Sequence, residues 1–254
     1  MEREDDLDDG RTRIQSASRA IRILLAVAAT QDGLKAKEIA DAFGLSLPTA
    51  YHLLNTLTNE GVLFKDERRR YLIGPRAAVI AEAVNNSNTV PDGYVKALHA
   101  LAERTGETAY LSVWRRNEIV VLATVEGSQA VRVTGLTAGY SDNIHARASG
   151  KLLLAFAPAP VRKTLIEGLV LRRLTHATIT SRAALRRELE RIRAEGISFD
   201  HQEFQDGVEC VSAPIRSGDK VVACFTVSTP AGRFGRRQQM IVETLLSAVA
   251  AAAG

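Results

Sequence analysis

The chain has 254 residues, 46% of them hydrophobic, and only two cysteines; that is enough for two domains and a sizeable core but makes no disulfide framework. Its longest apolar runs, residues 152–157 and 248–253, are far too short to span a bilayer. The net charge of +4 hides an asymmetry: MEREDDLDDG at the start holds six acids and one arginine, leaving +9 on the remainder, a balance suited to a polyanionic partner. An acidic start is the opposite of a signal peptide, so a cytoplasmic chain with a disordered, solubilising tail over residues 1–12 is expected.

In SASRAIRILLAVAAT, Ile21, Leu24, Leu25 and Ala28 recur at helical spacing, with Ser16 or Ser18 as candidate cap. GLKAKEIADAFG predicts a second, short helix carrying Ile39, Ala40 and Phe43, stopped by Gly44. A third follows in LPTAYHLLNTLTNEG. Leu47, Ala50, Leu54 and Leu57 form a stripe with Leu53 beside it, Ser46 is a fair N-cap, and Pro48 suits the first turn, where its missing N–H costs nothing. Residues 62–65 and 69–73 read as two short strands joined at Asp66-Glu67-Arg68. Three short helices and a basic hairpin are the order of a winged helix-turn-helix, in which the third helix enters the major groove.

Residues 75–84 predict another helix, and the turn-forming NNSNTVPDG at 85–93 is the best domain boundary. Beyond it, residues 94–104 read as a helix, TAYLSVWRRNEIVVLATVEG as strand, turn and strand, and AVRVTGLTAG as a third strand. ASGKLLLAF predicts a helix opening at Ser149. TSRAALRRELERIRAEG is amphipathic, with Leu185, Leu189 and Ile192 inward; its arginines look like a solvated face. GVECVSAPI and KVVACFTVSTP are strands joined by RSGD, and a last helix from about Arg236 carries Ile241, Leu245, Leu246 and Val249. Helices flanking a mostly antiparallel sheet make this half an α+β sensor domain.

Catalytic motifs are missing. ASGK is no phosphate loop, because His145 stands where the first glycine belongs and Leu152 where Ser or Thr belongs. HQE at 201–203 lacks the P-C-x-x-C that a zinc deaminase needs. His145, His201, Cys210 and Cys224 have no metal-ligand spacing, and G-x-S-x-G is absent. A cysteine in an apolar strand is usually a small core residue. No enzyme activity, metal or cofactor is expected.

SASRAIRILLAV, KAKEIADAFGLSLPTAYHLLNTLTNEGVL, YLIGP, TGETAYLSV, HARASGKLLLA, LTHATIT, EGISFDHQEFQDGVECVSAPI and VVACFTVSTP resemble, in order and spacing, the IclR family of bacterial transcriptional regulators. The resemblance runs from about Gln15 to the last helix. It implies a winged helix-turn-helix over residues 13–75, a linker helix and hinge over 76–93, and a GAF-like effector-binding domain over 94–254. It also implies binding to operator DNA as a homodimer or homotetramer, tuned by a small molecule, with no membrane partner.

On the DNA side, Arg19, Lys35, Lys37, Arg68, Arg69 and Arg70 are candidate phosphate contacts. Ser46, Leu47, Thr49, Tyr51, His52 and Asn55 are candidates for the reading face; an asparagine that reaches a base pairs bidentately with adenine. Where the family often has arginine, this chain has His52, a weaker phosphate contact whose charge responds to pH. On the sensing side, position-by-position transfer gives Ala148 and Ser149 at the helix entrance, with His145 just before it. It also gives Asp200 and Cys210 on the FD…C segment, and Thr226 and Ser228 on the last strand. Where the family commonly has an apolar residue then proline just before the segment at Ile144-His145-Ala146, the chain reads Asp142-Asn143-Ile144-His145, and Arg147 follows. This more polar rim predicts an effector with hydrogen-bonding groups, a small organic acid or hydroxylated aromatic. The leading reading is a ligand-responsive regulator, more a repressor than an activator, of a catabolic operon. The alternatives are a DNA-binding protein whose second domain only oligomerises, and an enzyme acting on the bound molecule.

Overall fold

A computed structural model describes residues 14–87, 90–115, 118–134 and 136–253. The acidic tail lies outside them. The chain divides between Thr89 and Val90 into two compact units.

In the first unit, α1 (Gln15–Ala28), α2 (Ala36–Ala42) and α3 (Leu47–Asn59) pack with a small sheet of β1 (Leu34–Lys35), β2 (Leu63–Lys65) and β3 (Arg70–Ile73), ordered β1-β3-β2 and antiparallel throughout. The packed stripe of α1 is Ala20, Ile23, Leu24 and Val27, the i, i+3, i+4, i+7 positions. Of the expected stripe only Leu24 packs: Ile21 and Leu25 are 58% and 63% exposed, because α1 is apolar on two sides and the fold uses the other. Neither Ser16 nor Ser18 caps it, since the helix already begins at Gln15 after Ile14. Leu34 and Lys35, expected in the second helix, are a strand paired to Tyr71 and Arg70. α3 buries Ala50, Leu54 and Leu57, whereas Leu47 is exposed rather than part of the packed stripe. α4 (Ala77–Ser87) continues three residues past its expected end.

The second unit is built on a five-stranded antiparallel sheet, ordered β5-β4-β8-β7-β6. Its elements in chain order are α5 (Asp92–Thr105), β4 (Thr108–Arg115), β5 (Glu118–Val125), α6 (Ala148–Phe156), α7 (Ala159–Gly168), α8 (Arg182–Glu195), β6 (Ser198–His201), β7 (Val208–Ser217), β8 (Lys220–Pro230) and α9 (Ala231–Ala253). α9 starts five residues earlier than expected and buries Phe234. The expected strand over 130–139 does not form among its described residues. Instead Val133 and Leu136 offer their carbonyls to the Thr108 and Thr124 hydroxyls, at 2.7 and 2.8 Å, and the segment walls the sheet edge as a loop.

Strand periodicity sorts the sheet into two chemically different faces. Leu111, Val211, Ala213, Phe225 and Val227 face one way and pack with Leu98, Leu101, Ile241 and Leu245 of α5 and α9. Tyr110, Ser112, Cys210, Ser212, Cys224, Thr226 and Ser228 occupy the alternate positions and are also buried. On their side, α6 and α8 supply Leu152, Leu153, Leu185 and Ile192.

Candidate functional site

The first candidate surface is the exposed side of α3. Ser46 caps it by accepting the Thr49 amide proton at 3.3 Å, and the two hydroxyl oxygens lie 2.8 Å apart. Leu47, Tyr51, His52 and Asn55 are exposed and Thr49 half-buried. The Tyr51, His52 and Asn55 side chains make no hydrogen bond among the described residues, leaving their polar atoms for an outside partner. Arg19, Lys35, Lys37, Arg68 and Arg69 are likewise exposed. Arg70 differs: it is half-buried, and its Nη1 donates to the Gly33 carbonyl at 2.8 Å. It therefore fastens the hairpin to the turn before β1. Arg69 sits at φ 62°, an uncommon conformation for a residue with a Cβ. It is stabilised where Asp66 accepts the Arg70 amide proton at 2.7 Å.

The second candidate surface is the polar face of the large sheet. Register places Tyr110 opposite Thr226, Thr226 opposite Ser212, and Ser228 opposite Cys210, with Asp200 paired to Cys210 on the far side. Cys210 Sγ and Ser228 Oγ share a hydrogen at 3.0 Å. Thr226 donates to Ser212 Oγ and Ser212 to the Phe225 carbonyl, each at 3.0 Å, so these two hydroxyls are already satisfied. Ala148, at the start of α6, packs against Val133, Val208 and Cys210. Gly150 is obligatory nearby, because a Cβ there would collide with the Ile144 carbonyl. A cavity of roughly 310 Å³ opens beside this face, lined by Thr108, Tyr110, Thr124, Val133, Leu136 and Ser228 among others.

Four of the predicted effector residues thus meet: Ala148, Asp200, Cys210 and Ser228. Ser149 is fully buried with an unpartnered hydroxyl. His145 is buried, its Nε2 lying 3.0 Å from the Arg172 carbonyl, and burial lowers its proton affinity. Arg147, expected on a rim, is 1% exposed. Tyr110 and Lys151 escaped the sequence reading, although Tyr110 shares the strand parity of Ser112. Its oxygen lies close to Ser228 and Cys210 without good hydrogen-bond geometry to either, and burial pushes its phenol well up.

Burial dominates the electrostatics here. It raises the Asp200 carboxyl to about 7, against the pull of Lys151 and with a push from Glu203; Asp200 Oδ1 accepts the amide protons of Glu203 and Phe204 at 2.7 and 3.3 Å. Burial also pushes the Cys210 thiol well above its ordinary range. That suits a neutral contact and not a nucleophile, which acts as thiolate. The fully buried Lys151 ammonium pairs with Glu203 and, at 3.6 Å, with Glu188. Among the described residues no three His, Cys, Asp or Glu side chains are grouped to hold a metal ion, and no helix is long and apolar enough to cross a membrane.

Residues 16–67 match the IclR helix-turn-helix domain, and residues 88–253 match the C-terminal domain of bacterial transcriptional regulators of the IclR type. The chain belongs to the IclR family. The HTH-type transcriptional regulator Rv1719 of Mycobacterium tuberculosis is 33% identical to it over 239 residues, covering 92% of this chain and 89% of that one. The IclR crystal structure from Thermotoga maritima superposes with a TM-score of 0.71 at 27% identity, covering 95% and 98%. At 22% identity, the fold is shared by an IclR homologue from Microbacterium hydrocarbonoxydans complexed with 4-hydroxybenzoate, with a TM-score of 0.65 and coverage of 94% and 97%. This IclR-family chain is a DNA-binding transcriptional regulator, with an N-terminal helix-turn-helix and a C-terminal α+β domain.

Proposed function

We propose that this IclR-family regulator is a repressor whose operator affinity is set by a small molecule bound on the polar face of the C-terminal sheet. The observation that carries the reading is that face itself. Buried strands favour apolar side chains on both sides, yet here Tyr110, Cys210, Thr226 and Ser228 are buried beside a cavity. Polar groups placed in that way fix the orientation of a ligand. Asp200, near neutrality at about 7, offers either a proton or a charge. The complex of a homologue with 4-hydroxybenzoate supports an effector of the same kind, a small organic acid or hydroxylated aromatic.

On the DNA side, Ser46, Leu47, Thr49, Tyr51, His52 and Asn55 would read bases. Arg19, Lys35, Lys37, Arg68 and Arg69 would neutralise phosphates, which carry affinity and register rather than sequence. The operator would be bound by a homodimer or homotetramer upstream of a catabolic operon. The effector must favour one arrangement of the dimer over the other, since a ligand without differential affinity shifts nothing.

The test is fluorescence anisotropy on DNA from upstream of the neighbouring genes, across a salt series, with and without metabolites that shift the melting temperature. Operator binding that falls with salt and changes with a stabilising metabolite is expected. Salt-dependent binding that no stabilising compound alters would leave a DNA-binding protein whose second domain only oligomerises.

A further inference from the structure

We infer that Arg147 is the counter-charge for an anionic effector, a carboxylate seated between the start of α6 and the Tyr110 end of the polar sheet face. This rests on the ligand-sensing reading above and narrows it to a chemical class.

The other buried cation of this unit is paired, and so is buried Glu107, while buried Asp200 accepts two backbone amide protons. Lys151 meets Glu203 and Glu188, and Glu107 meets Arg233 and Arg237, the latter at 3.2 Å. Arg147 is 1% exposed and meets no carboxylate. Its Nη2 donates to the carbonyls of Ile119 and Ser141, at 3.1 and 3.2 Å. Its guanidinium carbon lies 5.2 Å from the centre of the Tyr140 ring. Those contacts hold the side chain in place and leave its charge uncompensated. Among the described residues, Nε and Nη1 have no hydrogen-bond acceptor. Asp142, whose field reaches it, is exposed and forms no ion pair with it.

A buried cation without a counter-ion is costly, and proteins pair such groups or give them a ligand. Around Arg147 the groups without partners are donors, and the nearest carboxylate beyond them, Asp200, acts on Tyr110 and Cys210. α6 opens on Arg147 with no side-chain cap, so its first-turn amides are unclaimed. Among the described residues the buried Ser149 hydroxyl has no hydrogen-bond partner, and the buried Tyr110 hydroxyl, close to Ser228 and Cys210, makes no well-formed bond to either. Tyr110 also lines the cavity and feels the Arg147 charge. A cation, two hydroxyls and a helix N-terminus together match the acceptor-only chemistry of a carboxylate. A role confined to pinning the loop would need only the two carbonyl bonds, which a neutral amide side chain can also donate.

The experiment uses the full chain and paired probes: benzoate, 4-hydroxybenzoate, lactate and succinate, each beside its primary amide, read by thermal shift and calorimetry. At least one acid should stabilise the wild type, with its amide bound roughly 10- to 100-fold more weakly, the range of a lost charge-assisted bond. Arg147→Gln should lose the acid response and Arg147→Lys keep part of it. The acid-against-amide comparison in the wild type needs no variant to fold. Equal binding of acid and amide, or an undiminished acid response in Arg147→Gln, overturns the anchor while leaving the sensor reading intact. No shift from any probe, with operator binding indifferent to all of them, overturns both.

Discussion

Ser46 and Thr49 brace each other at the tip of the proposed reading helix, through the 3.3 Å bond from the Thr49 amide to Ser46 Oγ and the 2.8 Å approach of their hydroxyls. The cap that starts α3 therefore also orients its first candidate reading residue. Ser46→Ala should cost about 0.5–2 kcal/mol, the usual worth of such a cap. The loss should appear as a lower urea midpoint in the N-terminal transition. Operator affinity should fall as well, because the first turn of the proposed reading helix frays. A variant with an unchanged midpoint and reduced affinity would make Ser46 a direct contact and not a cap.

The hairpin separates two arginines that look alike in sequence. Arg68 is exposed, whereas Arg70 holds the Gly33 carbonyl at 2.8 Å. Arg68→Ala should leave stability within about 0.5 kcal/mol and weaken binding evenly across DNA sequences, lowering the salt slope by about 0.9. Arg70→Ala should destabilise the first unit by about 1 kcal/mol. Denaturation and salt titrations of the two variants check this; a stability loss in the first and none in the second would reverse the assignment.

His52 is exposed on α3, and its side chain makes no hydrogen bond among the described residues. If it faces a phosphate, His52→Arg adds a permanent cation and a forked donor. Operator binding should then tighten and its salt slope steepen by about 0.9. An unchanged slope in the anisotropy series would place His52 away from the backbone.

Most elements and the buried hydroxyl positions are legible because periodicity is local, whereas α7, β1 and β6 are not read from the sequence. Val211 and Val227 alternate with Cys210 and Ser228 in the sequence itself. The misjudged features depend on partners far away in the chain. Ile21 and Leu25 are as apolar as Ile23 and Val27, and only the packing of α1 decides between them. The strand read over 130–139 became a cavity wall because Thr108 and Thr124 claim its carbonyls. Arg147 reads as a rim residue because charge usually means exposure, yet it is buried.

Lys151 lies inside the second unit with Glu203 and Glu188 as its counter-ions. Lys151→Met keeps much of the volume but strands two carboxylates. The expected cost is about 3–5 kcal/mol, as for breaking other buried pairs. Lys151→Met with Glu203→Gln should recover part of that loss. Urea unfolding of the single and double variants measures the coupling, and strictly additive losses would mean the pair does not matter.

Asp200 gives the second unit a pH dependence of definite sign. Burial, its largest cause, raises the carboxyl from 3.8 to about 7 in the folded chain. Between these values the folded state keeps a proton that the unfolded state has released. The stability linked to that proton is complete below about pH 4 and is lost as pH rises through about 7, by up to about 1.4 kcal/mol per unit. Asp200→Asn retains an oxygen to accept the Glu203 and Phe204 amide protons but cannot ionise. Relative to the wild type, the variant should therefore gain stability between pH 5 and pH 8, whatever fixed cost the amide adds at both. Urea midpoints at the two pH values test this. A variant-minus-wild-type difference that is the same at both would mean Asp200 titrates alike in the folded and unfolded chains.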